Sequence, residues 1–226
     1  NRLGGGYEGD FGTPEQHISA TEGMWEACMT LNNNWGYHRG DRNWKSPAQV
    51  AGMLQQCAAG AGNLLLNVGP KGDGSIPEAS VNILDRVGEW LKTNGEAIYE
   101  SDRFEYNLRE RRPGDRADWT HHGNFTARGN NLYLHASSWP GPVLTISGLE
   151  CSVEAVTLLA TGEAYSFEQV GGVIRVAGLP ERWEDDMPAV LRFKTQDGPC
   201  IYRCGGHRNP SAPHCRYARA QSDVED

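Results

Sequence analysis

The feature that most constrains this chain is an alternation near its start. Two short apolar runs, MWEACMTL (24–31) and NLLLNVG (63–69), are each followed by a polar loop and then by an amphipathic helical pattern. Parallel strands are joined through crossover helices that pack on the sheet. Strands buried in this way are apolar on both sides, so the order strand, loop, helix, strand, loop, helix predicts a parallel sheet covered by helices. The first helix is expected from Ser46, a good N-cap, with Pro47 at its first position. Val50, Met53, Leu54 and Cys57 recur at helical spacing, and Gly60 and Gly62 end the pattern. The second starts near Pro77, with Val81, Leu84, Val87 and Leu91 as its apolar stripe and Gly95 at its close. Two such units are too few to close a barrel or complete a wound sheet. The opening NRLGGGYEG, without an initial Met, reads as an interior stretch, so the chain is expected to be a processed product or a piece of a longer protein.

After about residue 101 the pattern changes. FTARGNNLYLHAS alternates about Gly129-Asn130-Asn131, a hairpin signal. VLTISGL, VEAVTLLATG, YSFEQVGGVIRVAGL and AVLRFKT follow with glycine turns between them and no helical stretch, the signature of an all-β sandwich. The expected division is an α/β part over 1–101, a β-sandwich over 102–196, and a Pro-, Gly- and His-rich tail over 197–226.

Several functions are disfavoured by composition. A net charge of −8 opposes nucleic-acid binding, which needs clustered Lys and Arg. The one basic run, RERRPGDR (109–116), is short, broken by acids and read as a solvated loop. No stretch approaches the roughly 18 apolar residues of a membrane helix. Cys28 and Cys57 sit among apolar neighbours as buried thiols. Cys200, Cys204 and Cys215, with His207 and His214, fit zinc spacing only loosely, so free thiols are expected ahead of a disulfide or a metal site. The Asn124-Phe125-Thr126 sequon is a weak signal, meaningful only in a glycosylating host.

Chemistry in parallel sheets gathers on the loops after strand C-termini. Three loops qualify: residues 3–17, 32–45 and 67–77. In the third, GPKGDG lacks the spacing of a phosphate-binding loop. A calcium loop is excluded because Gly69 and Lys71 would stand where carboxylates belong. In the first, Glu15 follows Pro14 with Tyr7 and Phe11 nearby. A carboxyl held against apolar surface can act as a general acid, and sugar-cleaving enzymes pair such an acid with a second carboxylate. Asp10 is the one local candidate partner. The competing reading has Asp10 and Glu15 capping turns or pairing with Arg2 or Arg39. The second loop carries Trp35, Tyr37, His38 and Trp44 among Asn and Arg. This set suits a sugar, whose C–H face stacks on a ring while its hydroxyls bond to amides and guanidinium groups. It equally suits an apolar staple for the loop.

Four stretches, GDFGTPEQ, WEACMTLNNNWGY, GNLLLNVGPKGDGSIP and VGEWLKTNGEAIY, in this order and spacing, resemble the α-L-fucosidases of glycoside hydrolase family 29. The resemblance covers residues 1–100 strongly and the remainder only in kind. It implies the C-terminal portion of a (β/α)8-like, TIM-type barrel followed by an all-β sandwich, and a retaining exo-hydrolase of terminal α-linked L-fucose that uses no cofactor and no metal. It implies Glu15 as the general acid/base, Arg2 near the fucose and the catalytic carboxylates, and, more loosely, Trp35 beside the substrate. The GDF.TPEQ form is closer to the branch acting on α-1,3 and α-1,4 fucose. The Asp nucleophile is expected upstream of Asn1, so Glu15 would lack its partner in this chain. The implied partner is a fucosylated oligosaccharide or glycoconjugate, with no nucleic acid and no membrane. The open strand edges of an incomplete barrel favour a homo-oligomer, and a periplasmic or secreted location is expected over a cytoplasmic one. The alternative function is a non-catalytic carbohydrate-binding or structural fragment of such an enzyme.

Overall fold

A computed structural model describes residues 11–20, 23–104, 122–147, 149 and 151–199. Strand β1 (Glu26–Thr30) pairs in parallel with β2 (Asn63–Asn67), Glu26 opposite Asn63 and Thr30 opposite Asn67. Helix α1 (Pro47–Ala59) connects them, as the apolar runs require. Its start is a reciprocal capping box: Gln49 N–H donates to Ser46 Oγ at 3.2 Å, and Ser46 N–H donates to Gln49 Oε1 at 2.8 Å. Val50, Ala51, Met53 and Cys57 are buried. The helix stops where the Trp25 ring lies across the chain. A Cβ on Gly62 would fall 2.1 Å from that ring and one on Gly60 2.6 Å from it, while the indole N–H donates to Gly60 O at 2.9 Å.

Helix α2 (Glu78–Asn94) begins just after Pro77 and runs into one turn of 3-10 helix, Gly95–Ala97. Its buried side differs from the expected stripe. Ile83, Val87 and Trp90 are buried, while Val81 and Leu84 are 40% and 38% exposed. The helix carries two apolar stripes, and the bulky Trp90 decides between them. Its ring is buried and its N–H donates to Pro188 O at 2.8 Å, which turns the Val81–Leu84 side outward.

Strand β2 also departs from expectation. Leu64 and Leu66 pack into the helix layer, but Leu65 is 51% exposed. A strand shows two faces, and Leu65 lies on the one turned away from the helices.

The remaining strands are β3 (Asp102–Arg103), β4 (Gly123–Arg128), β5 (Asn131–Ala136), β6 (Val143–Ser147), β7 (Val153–Leu158), β8 (Ala164–Val170), β9 (Val173–Ala177) and β10 (Ala189–Thr195). They form one continuous antiparallel sheet in the order β3-β4-β5-β10-β7-β8-β9-β6. The hairpin β4–β5 turns through Gly129 and Asn130, with Gly129 at φ +54°. Two separate layers were expected; here β8 pairs with β7 at one end and β9 along its length, so a single sheet curls over its own core. That core joins Phe125, Leu134, Leu191 and Phe193 to Leu144, Ile146, Ile174 and Val176.

Strand β5 is buried on both faces. Leu132 and Leu134 point into the sheet core, while Tyr133, with Met187 and Val190, belongs to the core cluster of the helix layer. The helices therefore lie between the parallel strands and the curled sheet. Polar links fasten this second interface. Thr126 Oγ1 donates to Ala97 O at 2.7 Å, and Arg86 reaches Asp185 and Asp186 at 2.7 and 3.0 Å.

Candidate active site

The segment carrying Glu15 is a third parallel strand in all but length. Glu26 N–H donates to Gly12 O at 2.8 Å, Cys28 N–H to Pro14 O at 2.8 Å and Gln16 N–H to Cys28 O at 2.9 Å. Gly12 thus lies beside Trp25 and Glu15 beside Cys28, in parallel register. Pro14 has no N–H to give, but its carbonyl faces β1 and keeps the ladder closed.

This register fixes the side on which Glu15 projects. On β1, Trp25, Ala27, Met29 and Leu31 are buried toward the helices. Cys28 belongs to the opposite face, as alternation demands. Residues paired across a ladder share a face, so Glu15 stands with Cys28 on the side away from the helices. The electrostatics agree: the Cys28 thiol is pushed up first by burial, then by the carboxylates of Glu15 and Glu26. Cys28, expected to be buried, is only half-buried on this face, whereas Cys57 is buried in the helix layer.

All three strands run the same way, so their C-terminal ends meet. Gln16 leaves the first, Thr30 ends β1 and Asn67 ends β2. Gln16 has a left-handed backbone, φ +58°, which costs a non-glycine residue about 1–2 kcal/mol. Its Nε2 donates to Thr30 Oγ1 at 3.0 Å. The buried Thr30 hydroxyl in turn donates to Asn32 O. The Asn67 carboxamide oxygen, at the same end, is buried without a hydrogen-bond partner among the described residues.

The loop after β1 is built around Asp41, which is 9% exposed. Its carboxylate accepts from Asn43 N–H at 2.9 Å, Asn34 Nδ2 at 2.7 Å and Asn33 N–H at 3.0 Å. These bonds, the Asn43 amide foremost, hold its pKa below the usual carboxylate value. Lys45 anchors the far end of the loop by donating to Thr30 O at 2.6 Å. Burial lowers the Lys45 pKa, with Asp41 opposing that effect. The loop presents Trp35 and Tyr37, 39% and 43% exposed, while Trp44 packs into the helix-layer core. The staple reading thus holds for Trp44, and Trp35 stays open to solvent.

The loop after β2 touches this one backbone to backbone. A Cβ on Gly69 would lie 2.8 Å from Gly36 C and 2.9 Å from Tyr37 N, so Gly69 permits the contact that sets the height of the Trp35 loop.

The structure therefore brings Glu15 onto a parallel strand beside the one that leads into the Trp35 loop. Arg2 and Asp10 lie outside the described residues, as do Tyr7 and the tail cysteines. Among the described residues no group of three His, Cys, Asp or Glu side chains could hold a metal ion, and no helix is long and apolar enough to cross a membrane. Sequence reasoning missed Gln16, Thr30, Asp41 and Gly69 as parts of this site. The crowded asparagines around Asp41 were the one available hint, since Asp and Asn favour side-chain-bonded turns.

A carboxylic acid at the end of a parallel sheet, beside a loop of exposed aromatics and amides, is an arrangement suited to glycoside hydrolases. Residues 1–96 match the family model described as Alpha-L-fucosidase, and over that part the chain is similar to α-L-fucosidases. Human plasma alpha-L-fucosidase is 41% identical over 80 residues, covering 34% of this chain and 17% of that protein. The structure is similar to Alpha-L-fucosidase isoenzyme 1 from Paenibacillus thiaminolyticus, with a TM-score of 0.71 and 31% identity, covering 83% of this chain and 45% of that one. It is also similar in fold to a family 29 alpha-L-fucosidase from Bacteroides thetaiotaomicron, with a TM-score of 0.66 and 24% identity, covering 83% and 43%. The chain thus spans less than half the length of these relatives.

Proposed function

We propose that this chain is the C-terminal part of a retaining exo-α-L-fucosidase, in which Glu15 is the general acid/base. The observation that carries this reading is the ladder between the Glu15 segment and β1. It sets the carboxyl on the face away from the helices, at the end of the sheet from which the Trp35 loop departs. That is where a barrel enzyme gathers its chemistry. The open face of β2 at Leu65 and the outward Val81–Leu84 side of α2 support completion of a (β/α)8-like barrel by an upstream portion that supplies the Asp nucleophile. The Bacteroides relative was captured as a covalent intermediate with 2-fluoro-fucosyl fluoride in a glutamate-to-glutamine mutant, which suits a retaining mechanism.

In the complete enzyme the nucleophile attacks the anomeric carbon while protonated Glu15 gives its proton to the departing glycosidic oxygen. Ionised Glu15 then takes a proton from water, and that water releases fucose from the fucosyl-enzyme. Trp35 offers its ring to the apolar face of the sugar, and Arg2 stabilises the ionised carboxylates. The substrate class is a fucosylated glycan, with α-1,3 and α-1,4 linkages as the finer proposal, in a periplasmic or secreted setting. Domain limits at 101/102 and 196/197 belong to the same proposal.

The test is release of an aryl group from aryl α-L-fucosides by the full-length protein and by its Glu15→Gln variant. The variant should lose far more activity on natural glycans than on aryl fucosides with good leaving groups. Equal loss on both would refute the acid role. Running this chain alone in parallel reports whether residues 1–226 turn over or only bind fucose.

A further inference from the structure

We propose that Gln16 is a positioning residue for the reaction: its left-handed backbone turns the chain directly after Glu15, and its carboxamide clamps that turn onto Thr30. The inference rests on the reading of Glu15 as acid/base and extends it to a neighbour that touches no substrate.

Four observations converge. Gln16 holds φ +58°, a conformation that glycine or asparagine adopts with less strain. Its N–H is tied to Cys28 O at 2.9 Å, so the turn is fixed against β1 on its backbone side. Its Nε2 is 3.0 Å from Thr30 Oγ1, and the direction of that bond follows from counting protons. A hydroxyl has one proton, and Thr30 gives it to Asn32 O, so the lone pairs of Thr30 receive the amide N–H of Gln16. Finally, Thr30 is 1% exposed, is held in register opposite Asn67, and has its carbonyl gripped by Lys45 at 2.6 Å.

One side chain thereby joins the strand that carries the acid to the rigid end of β1 and to the first residue of the loop that presents Trp35. Glycine at position 16 would satisfy the backbone and lose that connection. Glutamine accepts the strain and keeps it. The acid and the aromatic loop then hold one relative height, which a general acid needs if its proton is to meet the glycosidic oxygen.

The experiment pairs kinetics with amide exchange. In the full-length protein, Gln16→Gly removes the clamp while relaxing the backbone, so folding is preserved. It should lower kcat on a glycan by on the order of 10- to 100-fold, leave KM near its original value, and slow an activated aryl α-L-fucoside far less. Thr30→Val should reproduce this split and Thr30→Ser should restore activity. In this chain alone, Gln16→Gly should speed exchange of the amides at position 16 and Cys28 while those within β2 keep their protection. Equal slowing of both substrates, or unchanged exchange at Cys28, overturns the proposal. Glu15→Gln separates the two readings: if it shows no dependence on leaving group, the acid assignment fails, whereas a normal Glu15→Gln result beside a silent Gln16→Gly removes the clamp alone.

Discussion

Lowering the pH should weaken this fold through a single buried histidine, by an amount the structure sets. His135 lies on β5, 1% exposed, on the face that meets the helix layer. Its Nε2 is 2.8 Å from Thr126 Oγ1. Thr126 donates its one proton to Ala97 O at 2.7 Å, so His135 must donate from Nε2, and Nδ1 is left bare and buried with no hydrogen-bond partner. Burial dominates the titration and pushes the imidazole down to about 3 from an ordinary 6.5, with only the Ala97 carbonyl opposing it. The unfolded chain takes up a proton near pH 6.5 and the folded one does not. The neutral histidine therefore keeps its full contribution above pH 6.5, and stability falls by about 1.4 kcal/mol per pH unit as pH drops from there toward 3. Between pH 7 and pH 5 the loss from this residue is about 2 kcal/mol. Denaturant unfolding of the native chain and of His135→Gln at both pH values measures it. The glutamine can still donate to Thr126 but cannot titrate, so the stability gap between the two proteins should shrink by about 2 kcal/mol at pH 5. A gap that stays constant, or a His135 ring signal that titrates near pH 6, refutes the assignment of a neutral buried imidazole at the joint between helices and sheet.

Three further outcomes test the site and its supports. Gly62→Ala places a methyl 2.1 Å from the buried Trp25 ring and should cost about 1–3 kcal/mol in denaturant unfolding, with Trp25 fluorescence altered. Gly69→Ala should change stability less but displace the Trp35 loop through its contact with Gly36 and Tyr37, seen as altered tryptophan fluorescence and, under the proposed function, as weaker fucose binding in calorimetry. Asp41→Ala should free the same loop and speed tryptic cleavage at the exposed Arg39 and Arg42. In the native chain the Asp41 contribution is present above the ordinary carboxylate pKa and is lost as pH falls through its lowered value, so loop cleavage should rise there with an acid-tolerant protease.

Much of this architecture is written in local patterns. Ser46-Pro47 before a helical stripe and the turn at Gly129-Asn130 each specify their element through backbone chemistry alone, and each forms as expected, whereas the glycines at 60 and 62 end the first helix as expected but beneath the Trp25 ring. Glu15 and Trp35 are legible as candidates because their residue types and loop positions suit sugar chemistry. Other features depend on partners distant in sequence. Helix α2 offers two apolar stripes of similar spacing, and only the seat of Trp90 against Pro188 selects the one that is buried. Eight strands could stack as two sheets, but β8 joins β7 at one end while pairing with β9 along its length, which makes one. No sequence period places Gln16 in the left-handed region or brings its amide to Thr30, fourteen residues onward. The sequence by itself thus determined which elements form and which residue types could do chemistry, since those follow from short-range periodicity and capping. The tertiary structure decided which faces are covered, and that Glu15 stands with Cys28 on the side away from the helices, because strand register is set by hydrogen bonds between segments that the chain must fold to bring together.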